Sequence, residues 1–168
     1  MVEPQLIDKD QIILVGLSFF GDPFKFSGGW TEENEIGRLW KRFMAYLQEA
    51  GEQIRHVTAG GGFYELHIDH PEMERTGEYE VFVGLEVDRL EDVPVRLSIK
   101  ILPPTRYAVF TLVGQQIVTD WSQEMTDWLA RSGYQRAYAY GFQYYDERFK
   151  SVQQIDESVL DAYVPVRK

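Results

Sequence analysis

Cysteine is absent from the 168 residues. That excludes a disulfide framework, a thiolate nucleophile and any sulfur-ligated metal centre. Basic runs are absent too: 17 Lys and Arg stand against 27 Asp and Glu, a formal net charge of -10. Phosphate contacts dominate nucleic-acid affinity, so this balance argues against direct DNA or RNA binding. It tilts the chain weakly toward cationic ligands. No apolar run approaches a membrane span, and the opening MVEPQLIDKD lacks a signal peptide's basic-then-apolar order. A soluble, cytoplasmic protein without a membrane partner is the expectation.

The chemical motifs sought next are also missing. His67 and His70 flank Asp69 in LHIDH, but residues three apart on a strand end point to opposite faces. With no third His or Cys nearby, no metal site is assigned. AGGG at 59–62 lacks the Lys and helix of a phosphate cradle and reads as a turn. No G-x-S-x-G elbow occurs. No catalytic residue and no cofactor is assigned from the residues.

What is present is aromatic: ten Tyr, ten Phe and four Trp make up 14% of the chain. A core uses some of these, and the Tyr surplus suits a pocket or an interface equally. The chain also repeats itself. IILVGLSF reads as a strand, and Ile36, Leu39, Trp40, Phe43 and Leu47 recur at helical spacing after the loop FGDPFKFSGGW. GGFYELHI and EYEVFVGLEV follow as strands. The second half has VRLSIKILPPTRYAVFTLVG, broken at Pro103-Pro104, then a helix from near Thr119-Asp120 burying Trp121, Met125, Trp128 and Leu129. AYAYGFQYYDERF and VLDAYVPVR close it. Each half reads strand, helix, strand, strand, with the joint at Val87 to Val95. Repeat 1 covers about 1–90 and repeat 2 about 94–168 of a single domain, 1–168.

The segments VGLSF, NEIGRLWKRF, VFVGLEV, RYAVFTLVG, DWLARSGY, FQYYDERF and DAYVPVRK, in that order, carry a resemblance across nearly the whole chain. It resembles the GyrI-like small-molecule-binding domain, the effector-binding domain of bacterial transcription activators, including AraC-type ones. The resemblance implies an α+β fold of duplicated βαββ units with pseudo-twofold symmetry. An antiparallel sheet and two helices would then flank a central ligand cleft. In multidrug-responsive relatives such a domain follows a DNA-binding helix-turn-helix, for which no residues are left here, so a stand-alone form is expected. The family position of Gln143 is usually Glu, aimed at the cleft; the amide offers hydrogen bonds but no charge.

Two carboxylates are the candidates to replace that charge. Glu86 matches a Glu of the family pattern and alternates onto the face of Gly84 and Phe82, while Asp161 shares a face with Tyr163 and Pro165. Both could equally be solvated or salt-bridged. Phe82, Tyr107, Tyr145 and Tyr163 are candidate ring contacts, and Trp128 is either helix core or cleft edge. The site residues expected from this reading are therefore Gln143, Glu86, Phe82, Tyr145, Tyr107, Tyr163, Trp128 and Asp161. The expected function is non-enzymatic binding of a small hydrophobic or cationic molecule, for sensing or sequestration. The alternatives are a GyrI-like hydrolase of strained cyclopropane toxins, or a gyrase-inhibitor-like protein with a protein partner.

Overall fold

A computed structural model describes residues 3–29 and 31–168. Trp30, which the sequence places in the loop before the first helix, lies outside the described residues, as do Met1 and Val2. The elements are β1 (Gln5–Lys9), β2 (Ile12–Gly21), α1 (Glu35–Ala50), β3 (Phe63–Ile68), α2 (Met73–Thr76) and β4 (Tyr79–Val87). They continue with β5 (Ser98–Leu102), β6 (Thr105–Val113), α3 (Ser122–Ser132), β7 (Gln135–Arg136), β8 (Tyr140–Tyr145) and β9 (Val159–Arg167). Strand, helix, strand, strand thus occurs twice, as β2-α1-β3-β4 and β6-α3-β8-β9. Among the described residues no helix is long and apolar enough to cross a membrane.

One antiparallel sheet runs β1-β6-β9-β8-β3-β4-β2-β5, with the short β7 on β9. From the central β8/β3 seam outward, the halves read β3-β4-β2 and β8-β9-β6, the same order in each. The edges depart from the expected pattern. Pro103-Pro104 breaks VRLSIKILPPTRYAVFTLVG into β5 and β6, yet β5 pairs with β2 of the first half. Reciprocally, β1 precedes β2 in the chain but pairs with β6 of the second half. Each half lends the other an edge strand.

This exchange curls the sheet. β1 and β2 lie six inter-strand steps apart in the order, about 29 Å if flat at about 4.8 Å per step. Only Asp10 and Gln11 join them, and that link reaches about 11 Å. A flat sheet is therefore excluded. The inner face confirms the curl: Leu14, Leu66, Phe82 and Tyr107 are each 0% exposed, although no helix residue belongs to their cluster. The sheet covers its own inner face with side chains from nearly every strand.

The helices pack on the outer face. Asn34 caps α1, its carboxamide oxygen accepting from Gly37 N at 2.9 Å. Leu39, Phe43, Tyr46 and Ala50 then fall on one stripe, buried against Val15, Val81, Val83 and Leu85. The helix α3 begins at Ser122, slightly later than expected, where the Asp120 carboxylate accepts from Ser122 N at 2.9 Å. It ends at Gly133 with φ of 76°, a left-handed turn suited to glycine. Trp128 is its only buried residue; Trp121, Met125 and Leu129 are partly buried on the same core.

Candidate functional site

The outer face leaves a cleft of about 920 Å³ over the β3/β8 seam, walled by α1, the loop before it and the segment after β8. Strand alternation sets its floor. On β3, Phe63, Glu65 and His67 face outward, while Tyr64, Leu66 and Ile68 face the sheet interior. On β8, Gln143 and Tyr145 face outward while Tyr140, Phe142 and Tyr144 face inward. Register places Glu65 directly opposite Gln143. An acid and an amide therefore stand side by side on the two strands that join the halves.

Glu65 is 3% exposed and satisfied at both oxygens. Trp40 of α1 donates its indole N–H to Oε2 at 2.6 Å, and Tyr145 O–H lies 3.3 Å from the same oxygen. His67 Nε2 sits 2.7 Å from Oε1. The Tyr145 hydroxyl also lies 2.8 Å from the Gln143 amide oxygen, so one proton faces two acceptors. Turning the Gln143 amide, whose O and N are alike in shape, makes its N–H the donor to the phenol oxygen. The phenol proton is then free for Glu65, and the chain runs Gln143 to Tyr145 to Glu65. Rings enclose the acid: Trp40 meets Phe63 at 5.9 Å and Tyr145 at 5.0 Å, and Phe149 meets Tyr145 at 4.9 Å. A half-open aromatic box around a buried carboxylate suits a cation with apolar substituents.

Of the eight sequence-derived site residues, the cleft takes in Gln143 and Tyr145. The other six lie elsewhere. Phe82 and Tyr107 are sealed in the sheet interior, where the Tyr107 and Tyr140 hydroxyls are 2.8 Å apart. Tyr163 faces the same interior, stacked on Phe142 at 4.5 Å. Glu86 accepts from Tyr64 O–H at 2.7 Å on that inner side. Asp161 is held by Thr111 O–H at 2.7 Å and the Arg148 guanidinium at 2.6 Å. Trp128 packs under α3 against Phe110 and Tyr134. The reason is common to the strand residues. Buried residues fall on both faces of β4, β6 and β9, so alternation separates the faces without saying which one carries the helices.

Glu65 and His67 are the functional candidates that sequence reasoning missed. The signal is a charged residue mid-strand directly after Phe63 and Tyr64, in FYELHI. His67, weighed above only against a metal role, turns instead toward Glu65. Among the described residues no group of three or more His, Cys, Asp or Glu is arranged to hold a metal ion.

Burial also sets the phenol chemistry. Desolvation is the largest cause raising Tyr64, Tyr79, Tyr107, Tyr140, Tyr144, Tyr145 and Tyr163 above the ordinary 10.0. For Tyr145 the negative Glu65 adds to it. A phenol whose folded pKa exceeds its unfolded one contributes stability that is present below pH 10 and lost as pH rises through the folded value. Alkaline titration is therefore expected to show phenolate absorbance rising together with loss of near-UV circular dichroism. Smooth ionisation of all ten tyrosines in a still-folded protein would contradict these burials.

The profile of the GyrI-like small molecule binding domain matches residues 3–167. The transcriptional regulator BrlR of Pseudomonas aeruginosa is 27% identical over 165 residues, 96% of this chain and 54% of BrlR, so the chain spans about half that relative. In fold it is similar to SAV2435 bound to tetraphenylphosphonium, with a TM-score of 0.67 and 17% identity, covering 99% of this chain and 94% of that one. It is also similar to a hydrolase encoded by lin2189 of Listeria innocua, with a TM-score of 0.55 and 11% identity, covering 98% and 92%. A match of 3–167 leaves almost nothing of the sequence outside it: the chain belongs to the GyrI-like small-molecule-binding family.

Proposed function

We propose that the cleft binds a lipophilic organic cation, with Glu65 as its counter-charge and Trp40, Phe63 and Tyr145 as its walls. The observation that carries this reading is a carboxylate 3% exposed at the floor of a 920 Å³ aromatic cleft, with no Lys or Arg among its ion-pair partners in the described residues. Burying an acid that way is costly unless a positive group completes it. Gln143 serves as a neutral hydrogen-bonding partner, and the single acid opposite it supplies the charge. The tetraphenylphosphonium bound by SAV2435 has the matching chemistry, one positive charge inside a shell of rings. Binding is favoured over turnover because Trp40, Tyr145 and His67 all tie down Glu65, holding it as a fixed charge instead of a free base.

The test is titration of the protein with tetraphenylphosphonium, followed by tryptophan fluorescence, since Trp40 lines the cleft. Glu65→Gln keeps the shape and removes the charge. It is expected to weaken the cation by roughly 30- to 100-fold, about 2–3 kcal/mol, from one charge at partial dielectric exposure. A neutral analogue such as triphenylphosphine oxide should bind both forms equally, and Glu86→Gln should change neither. Unchanged cation affinity in a folded Glu65→Gln protein would sink the reading.

A further inference from the structure

The carboxylate at the cleft floor has an ionisable neighbour of its own. His67 Nε2 lies 2.7 Å from Glu65 Oε1, and the imidazole is 34% exposed where it borders the cleft. We propose that His67 is the exchangeable counter-cation of Glu65, so that a cationic guest enters the cleft in exchange for the imidazole proton. The inference rests on the cation-binding reading above and names the residue that regulates it.

Most of the other charged groups around the site have partners elsewhere, and the Glu147 carboxylate borders the cleft. On the α1 side, Lys41 pairs with Glu32 at 3.4 Å. Beyond β8, Arg148 holds Asp146 at 2.8 Å and Asp161 at 2.6 Å, and Lys150 donates to the Glu147 carbonyl at 2.8 Å. Asp69, next to His67 in the chain but one, is taken by Arg136 at 2.6 Å. Asp22 accepts from Phe24 N at 3.0 Å. From β4, Tyr79 packs its ring 5.6 Å from the imidazole, with its phenol raised by burial and by the negative Glu65, Asp22 and Asp69. From β8, His67 meets Gly141, which has no side chain, and the neutral Gln143 and Tyr145 stand beside Glu65. His56 and His70 engage Glu91 and Phe20 away from the cleft.

His67 is the imidazole that meets the buried carboxylate. Histidine gains or loses its proton between roughly pH 5 and 8. With His67 protonated, the Glu65/His67 pair is neutral overall and self-satisfied. A second positive charge brought to Glu65 repels the imidazolium, which sheds its proton to solvent through its exposed edge. The pair Glu65⁻/His67H⁺ becomes Glu65⁻/guest⁺ with neutral His67, and net charge in the cleft is conserved. A Lys in this place could not leave so readily, because its ammonium keeps its proton to much higher pH.

Linkage fixes the sign. Guest binding favours neutral His67, so affinity for a permanent cation falls as pH falls through the histidine range. The limit is about tenfold per pH unit for one proton exchanged per cation. Tetraphenylphosphonium is the probe, because it has no titratable group and any proton released must come from the protein. Calorimetric titration in two buffers of different ionisation enthalpy counts those protons on the unaltered chain, without any variant. The expected result is release approaching about one proton per cation on the acid side of neutrality. In His67→Gln the release vanishes and affinity becomes flat until carboxylates themselves protonate. Cation binding with no proton release, or an equal pH slope in His67→Gln, overturns the exchange and leaves cation binding standing. Failure of the cation to bind at any pH overturns both.

Discussion

Phe82→Ala is expected to lower folding stability by about 4 kcal/mol and to leave cleft affinity unchanged in the molecules that remain folded. Phe82 is 0% exposed and lies inside the curled sheet, across from Ser18 on β2 and Leu66 on β3. Its neighbours there include Leu14, Tyr64 and Tyr107, and no helix can slide in to fill the space it vacates. Removing a large ring from a closed wall therefore loses both transfer free energy and packing contacts. Urea unfolding measures the first effect, and cation titration well below the transition measures the second. A folded Phe82→Ala protein with near-native stability and impaired binding would return this ring to the cleft and undo the facing assigned to β4.

Gly16→Ala should be as damaging, for a different reason. Gly16 and Gly84 are partners in the β2/β4 register. A Cβ on Gly16 would meet Val83 O at 2.0 Å and Gly84 Cα at 2.6 Å, and one on Gly84 would meet Val15 O at 2.5 Å. These are backbone atoms, so no rotamer change relieves the clash, and the sheet itself must move. The expected cost is about 3 kcal/mol or more. Gly28→Ala is the matched reference, since among the described residues nothing lies within 4 Å of its added Cβ. Thermal melts of the two variants should therefore separate widely; coincident melts would show that the strands can spread at this point.

Much of the fold could be read from residues alone, because local signals carried it. IILVGLSF, FYELHI, EYEVFVGLEV and VLDAYVPVR alternate or run apolar over strand lengths, and α1 has a clean stripe behind an Asn cap. The exchanged edges could not be read. QLIDK and SIKIL are short and largely exposed, and the choice of partner strand is a long-range matter that no local pattern records. The site divides the same way. Gln143 is legible through the FQYYDERF motif, and Tyr145 through strand alternation onto the same face. Glu65 carries no such signal, since a lone acid in a strand is usually solvated, and its burial depends on Trp40 arriving from a helix 25 positions away. Glu86 was preferred for its motif, and the faces of β4 are too alike in polarity to show that it points inward.

The crossed edge strands bear on how a guest gets in. Two halves that touch only along a seam could swing apart like the covers of a book. Here β1 and β5 bind each half to the far margin of the other, and β3 to β8 is itself a paired ladder. Opening along the seam would break three sets of backbone hydrogen bonds at once. Admission is therefore left to the walls: α1, the stretch around Phe24 and Thr31, and the segment from Asp146 to Val152. For a guest bound as proposed, the paired strands would fix the position of Glu65, and a helix and two loop segments would form the rim it passes.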